Sequence, residues 1–421
     1  MLLQFRIKNY RSFRDETMLD MTATDIAEHT ETLIHFDNEK ILPITAIFGA
    51  NASGKTNIVS AYMVMAFMVQ HSLEWYDETD SEGNIIGHFV LSEYYPFAFD
   101  PETKDKDIEF EVWFTSKYDK EEITFNYGFS WNKNRIHEEW LNKKNKNTEE
   151  YSPVFLRQEK KLTTFSEDIP ESGNEIIRDA LSPQMLVVSL GARLNFKILQ
   201  SVYRFFQTTQ VLYPKGGVDI RVPYMFKTDK NVQNQVLRYL QAFDDSIVGF
   251  EIDESLHSAN EYKNIFTLHK SIGSQTPSRI PLEEESTGTL RMFSLYRNLF
   301  AAINNGGVLW MDEINSHLHP LLVRNLLLNF IDPGLNPLHA QLIFTTHDPW
   351  MLENGLLRKD EIWFVEKDTE GISDLYSLAD FKNIGGDDNE KSYAKRYLLG
   401  EFGAIPELNT LVLYPEYSHG S

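Results

Sequence analysis

Not one of the 421 residues is cysteine. Disulfides and thiolate-bound metals are therefore excluded, and the absence fits a reducing cytoplasm. Long hydrophobic runs are missing too. The longest, such as Ala61 to Val69, fall far short of the roughly 20 residues a membrane-spanning helix needs. The opening Met-Leu-Leu-Gln-Phe-Arg has neither the sustained apolar stretch nor the small-residue cleavage site of a signal peptide. A soluble, cytoplasmic chain with no membrane contact is expected. Basic residues are scarce: 40 Lys and Arg stand against 62 Asp and Glu, a formal net charge of -22. Such a surface repels phosphate backbones and disfavours bulk nucleic-acid binding. Two local basic clusters, one of Lys143, Lys144 and Lys146 and one of Arg157, Lys160 and Lys161, read as solvated loops.

Phe, Tyr and Trp make up 13% of the chain, ample bulk for a packed interior, and the length predicts two or three domains or one large domain with insertions. Residues 2–7 and 16–21 alternate as strands. Residues 43–48 form an apolar strand running into Gly49, and 56–70 a helix rich in Ala, Met and Val. From 107 to 140 the pattern turns to aromatic-rich alternation, an antiparallel meander. Residues 142–168 are charged and weakly patterned, read as a loop with a hairpin; 173–207 and 231–243 are helical in character. After residue 280 strands and helices alternate with short connections, which predicts a parallel sheet covered by helices. The expected fold is α/β, with a parallel core sheet and an antiparallel meander. It divides into an N-terminal lobe (1–140), a partly helical insertion (141–275), a C-terminal lobe (276–370) and a tail (371–421).

Gly49-Ala50-Asn51-Ala52-Ser53-Gly54-Lys55-Thr56 fits G-x-x-x-x-G-K-[ST], with an apolar strand before it and a helix after it. Glycines let the backbone wrap phosphates so that successive N–H groups and the helix N-terminus face negative charge. Lys55 is expected to reach the β- and γ-phosphates of ATP, and the Thr56 hydroxyl to ligate Mg²⁺. Val308-Leu309-Trp310-Met311-Asp312-Glu313 is a buried strand ending in two acids, at the sheet edge where α/β proteins bind ligands. Asp312 is the expected second Mg²⁺ contact and Glu313 the general base for the attacking water.

With these two motifs together the chain resembles the ABC ATPase superfamily, in its chromosome-structure and recombination branch. The resemblance implies a loop of the type S-x-L-D-P after the acidic pair. Here it is Ser316-His317-Leu318-His319-Pro320, with His319 in place of Asp. It implies a switch histidine at the end of the next strand, Gln341-Leu342-Ile343-Phe344-Thr345-Thr346-His347, hence His347. It also implies a second phosphate-binding loop at a helix N-terminus, met by Ser286-Thr287-Gly288-Thr289 with Ser286 and Gly288 matching and Thr287 replacing a Gly. In such proteins that loop completes the site of a second subunit, so an ATP-sandwiched homodimer is expected. A Gln downstream of the phosphate-loop helix has no counterpart; Gln70 lies on that helix itself.

Lys8-Asn9-Tyr10-Arg11-Ser12-Phe13 is similar to the start of recombination-type ABC proteins, where the Arg and Ser frame the nucleotide. Tyr95-Pro96-Phe97-Ala98-Phe99-Asp100, Trp363 to Lys367 and Tyr397 to Pro406 resemble segments of small bacterial defence ATPases, the AbiLi and RloA group and the AriA subunit of PARIS systems. That implies a sensor or regulator acting with a separate nuclease or toxin effector and a phage-derived trigger. Residues 141–230 carry none of this likeness. The related OLD proteins add a TOPRIM nuclease. Here only residues 371–421 follow the last expected ATPase strand, and Asp387-Asp388 beside Gly385-Gly386 suits a turn, so no nuclease is expected. A duplex-DNA-binding ATPase similar to RecF is the alternative, and a scaffold that binds ATP with little turnover a third reading.

Overall fold

Five strands align parallel because each is covered on both faces. The six-stranded sheet runs Gln210–Leu212, Val308–Met311, Gln341–Thr345, Ile44–Phe48, Ile362–Lys367, Ser373–Ser377, and only the last strand is antiparallel. Every residue of Ile44–Phe48, Val308–Met311 and Gln341–Thr345 is buried, which is why these strands read as unbroken apolar runs. Alternate side chains enter two cores. Ile47, Val308, Trp310 and Ile343 enter one; Ile44, Ala46, Phe48, Leu309, Met311, Leu342 and Phe344 enter the other. The computed structural model describes residues 1–74, 94–144, 150–212, 220–256, 260–353, 355–381 and 392–406, with the backbone of Glu78–Thr79 and Ile85–Gly87. Lys146 and the Gly385 to Asp388 turn lie outside the described residues, as does most of the polar stretch 77–87. No described helix is long and apolar enough to cross a membrane.

The first core lies between this sheet and a seven-stranded antiparallel one, ordered Lys161–Thr164, Tyr151–Gln158, Ile136–Lys144, Glu121–Trp131, Ile108–Tyr118, Leu2–Lys8, Thr17–Asp20. Helix Lys55–His71 packs into that core and buries 11 of its 17 residues. Its Tyr62 ring stacks on Trp310 at 4.5 Å, fixing the helix over the acidic strand. Helices Lys230–Gln241, Thr287–Asn305 and Pro320–Ile331 contribute to the second core.

The antiparallel sheet continues past residue 140, which lies inside Ile136–Lys144. Of the loop with a hairpin expected over 142–168, the hairpin is present as Tyr151–Gln158 and Lys161–Thr164, but it joins the sheet and the described residues are largely strand. This corrects the basic clusters in part, since Lys160 and Lys161 are exposed as expected. Arg157 is buried against Glu139 and donates to the carbonyls of Ser182, Pro183 and Glu159. Lys143 and Lys144 pair with Asp168 and Glu39. Charges interleaved with apolar residues hid the strands. The region 173–207 resolves into three helices, Glu171–Ala180, Val187–Arg193 and Lys197–Thr208. Ser373–Ser377 belongs to the core sheet, so the stretch from residue 371 is not wholly a tail beyond it.

A buried charge cluster fixes the start of the strand Ile362–Lys367. Arg358 makes a bidentate pair with Asp360, at 2.9 and 2.8 Å, and the carboxylate of Asp360 accepts from Thr24 N at 2.8 Å. Glu361 Oε2 accepts from Arg358 N at 2.8 Å, while Oε1 is buried without a hydrogen-bond partner. Burial, aided by the Asp360 charge, pushes the Glu361 carboxyl up to about 8. The folded form therefore keeps a proton that the unfolded chain loses near its ordinary value of 4.5. Stability falls as pH rises from 4.5 to about 8 on this group's account, by up to about 1.4 kcal/mol per pH unit. Glu361→Gln should remove that slope and raise the melting temperature at pH 8 more than at pH 5. Equal shifts at both pH values would show that the carboxyl is ionised in the fold.

Candidate active site

Three neighbouring parallel strands, Val308–Met311, Gln341–Thr345 and Ile44–Phe48, end at one edge. Their continuations therefore converge: Asp312-Glu313, Thr346-His347 and the loop from Gly49. Thr56 Oγ1 lies 3.0 Å from Asp312 Oδ2. Thr345 Oγ1 donates to Asp312 Oδ1 at 2.6 Å and accepts from Glu313 N at 2.8 Å. One hydroxyl thus ties the backbone of one acid to the carboxylate of the other. Glu313 itself sits at φ 49°, in the left-handed region, a conformation that costs energy for a residue with a Cβ and that recurs at functional sites.

Lys55 Nζ turns back onto its own loop and donates to the carbonyls of Gly49 and Ala50 at 2.7 and 2.8 Å. Burial lowers its pKa, against the pull of Asp312 and Glu313. Burial raises that of Asp312, opposed by the hydrogen bonds from Thr345 and Thr56. Each charge is thus short of compensation: the lysine would gain from phosphate, the carboxylate from a cation. The donor set also fits Mg²⁺, since a hydroxyl and a carboxylate are hard oxygen ligands. The Ser53 hydroxyl is buried with no hydrogen-bond partner, a free group inside the loop. Neither glycine tolerates a side chain. A Cβ at Gly49 would lie 2.4 Å from Val365 O, and one at Gly54, where φ is 119°, 2.5 Å from Ser373 Oγ. Asn51 and Ala52 are exposed at the loop.

Ser12 joins this group: its Oγ accepts from Asn57 at 2.7 Å and its carbonyl from Ser373 N at 2.7 Å. Ser373 in turn donates to Ser53 O at 2.5 Å. Arg11 is oriented otherwise, with its backbone N bonded to Tyr95 O at 2.7 Å and its guanidinium 4.9 Å from the Tyr95 ring centre. His347 is exposed, with Nε2 3.5 Å from Asn315 Nδ2. Asn315 also accepts from Thr346 Oγ1 at 3.0 Å. His319 caps helix Pro320–Ile331, its Nδ1 accepting from Leu321 N at 3.2 Å.

Ser286 and Gly288 form a second set. Ser286 Oγ accepts from Thr289 N at 3.1 Å and caps helix Thr287–Asn305. A Cβ on Gly288 would stand 3.4 Å from His317 O, so this helix start faces the loop that follows the acidic strand. Sequence reasoning missed Thr345, Asn315, Asn57 and Ser373. Thr345 had a signal, a hydroxyl at the end of a strand otherwise apolar. Gln70 is structural: its amide donates to Phe206 O at 2.8 Å.

A family model described as "AAA domain, putative AbiEii toxin, Type IV TA system" matches residues 44–353, a span that takes in both motif sets. The chain belongs to this family. As an AbiEii-type AAA domain it is an ATP-binding P-loop ATPase, of a family whose description ties it to toxin and abortive-infection systems. No curated protein matches the chain. Among solved structures it is similar to an SMC head bound to the C-winged helix domain of ScpA. The identity is 14%, the match covers 89% of this chain and 97% of that one, and the TM-score is 0.42. It is also similar to the SMC head domain from Thermotoga maritima, at 16% identity over 89% of this chain and 98% of that one, with a TM-score of 0.38.

Proposed function

We propose that this AbiEii-type ATPase works as an ATP-driven sensor or regulator in bacterial anti-phage defence, of the AbiLi, RloA and AriA kind, controlling a separately encoded nuclease or toxin. The observation that carries the catalytic part is the cluster of Lys55, Thr56, Asp312, Thr345 and Glu313, with two under-compensated charges at its centre. In this reading Lys55 leaves the carbonyls of Gly49 and Ala50 for the β- and γ-phosphates of ATP, and the loop amides of residues 49–54 hold the chain of phosphates. Thr56 and Asp312 hold Mg²⁺, which when bound neutralises charge on the phosphates. Glu313 takes the proton of the attacking water, held in place through Thr345. Ser12 and Ser373 brace the loop, and His347, steadied by Asn315, faces the γ-phosphate.

Ser286 and Gly288 sit at an exposed helix start and do not hydrogen-bond to the Lys55 group among the described residues. That supports a composite site: the Ser286 helix of one copy closes over ATP held by another, in a two-fold pairing. ATP then favours the closed pair, and ADP, lacking the γ-phosphate contact, loosens it. The charge of -22 favours protein partners over duplex DNA. Expressed with its neighbouring effector gene, the chain should lower phage plating by at least about tenfold, and alone it should not. Protection by the isolated chain would sink the two-component reading.

A further inference from the structure

The three-stranded sheet of Ile247–Ile252, Ile265–His269 and Ser278–Pro281 takes no part in the chemistry above. Its central strand nevertheless ends against the Ser286 loop. His269 Nε2 lies 2.7 Å from Glu285 Oε1, and Thr267 of the same strand reaches that oxygen too. Both partners are nearly closed to solvent, with 14% and 7% of their side chains exposed. On its other side, His269 Nδ1 is 3.0 Å from Ser246 Oγ, which lies 2.6 Å from Asp244 Oδ1.

A carboxylate only accepts, so the contact between Nε2 and Glu285 is a hydrogen bond donated by the ring to a charged acceptor, stronger than one between neutral groups. Ser246, held by Asp244, meets the other ring nitrogen and fixes the plane of the imidazole. Glu285 is the residue immediately before Ser286. Its backbone N donates to Leu282 O at 3.2 Å, and Ser286 caps the helix that follows. The turn is therefore pinned at both ends.

We propose that His269 and Glu285 are positioning residues for the Ser286 loop. Their buried pair sets the start of helix Thr287–Asn305 in the orientation that receives the γ-phosphate held by a second copy of the chain. The proposal rests on the composite-site reading above. It adds that the receiving half is set by a sheet separate from the one that carries the phosphate loop. A lesion there leaves a chain able to load ATP and unable to close over its partner's ATP.

The test uses the full chain carrying Glu313→Gln and cysteines at two exposed positions, Asn51→Cys and Thr287→Cys, with no native cysteine to interfere. Two quantities are read: binding of a fluorescent ATP analogue, and the yield of ATP-dependent disulfide between chains. His269→Ala and Glu285→Ala should each keep nucleotide affinity within about twofold and cut cross-linking about tenfold, the scale of one lost charge-assisted bond. Glu285→Gln keeps an acceptor and should retain most of the cross-linking. It also guards against a His269→Ala chain that does not fold. Cross-linking at the parent level in Glu285→Ala, with an unchanged melting curve, would overturn the positioning role alone. A parent with no ATP-dependent cross-link between chains would overturn the composite site and this proposal with it.

Discussion

Glu313→Gln should bind ATP as tightly as the parent and turn it over about 10²–10⁴ times more slowly, the usual contribution of a general base. Glutamine keeps the shape of the side chain, and the hydrogen bond from residue 313 N to Thr345 Oγ1, 2.8 Å in the parent, does not depend on it. The left-handed backbone at this position, φ 49°, is likewise held from outside. Thr56 and Asp312 remain paired and Lys55 is untouched. Only the proton acceptor is lost. The variant should accumulate with ATP uncleaved, in its associated form. Phosphate release and the identity of the retained nucleotide are the measurements. Turnover at the parent rate would mean that another group, such as the exposed His347 at the end of the neighbouring strand, activates the water.

Lys55→Ala carries the other large effect. In the structure the ammonium is shared between two carbonyls of its own loop, and burial already works against its charge. Exchanging those carbonyls for phosphate oxygens turns neutral acceptors into charged ones, and hydrogen bonds between charged groups are the strong ones. Alanine removes them all, so ATP affinity should fall by about 10²-fold or more, two such bonds at about 1.5–3 kcal/mol each. Because the buried cation is poorly compensated in the free protein, the fold should lose little. The expected pattern is a melting temperature close to the parent's, with no rise on adding ATP. A normal ATP-induced rise in this variant would refute the placement of phosphate at the loop.

Much of this site was legible because its motifs are contiguous in the chain. Gly49 to Thr56 is an eight-residue unit whose glycines are needed for local reasons, and Asp312-Glu313 ends an apolar run that only a doubly covered strand requires. What the sequence hid is made of contacts between distant segments. Thr345 gains its role by lying between the phosphate-loop strand and the acidic strand, a neighbourhood set by sheet order and not by spacing. Ser373 clamps Ser53 from 320 positions away. The strand Gln210–Leu212 has three residues, too few to show a period. Arg157 looked solvated like Lys160 and Lys161, which are exposed, because charge is read along the chain, whereas the partner that buries Arg157, Glu139, sits on the neighbouring strand.

Thr56 and Asp312 meet across 256 positions of chain. During synthesis, at about 5–20 residues per second, roughly ten to fifty seconds pass between the emergence of the phosphate loop and of its acidic counterpart. Over that interval the nascent chain carries a loop with no carboxylate opposite Thr56 and with neither of the two strands, Gln341–Thr345 and Ile362–Lys367, that flank Ile44–Phe48 in the finished parallel sheet. Nucleotide met on the ribosome would find an unbraced loop, and a fragment released early would bring no hydrolytic centre with it. An ATPase in which this contact joins distant segments becomes competent late and all at once, so premature activity is limited by the order of translation itself.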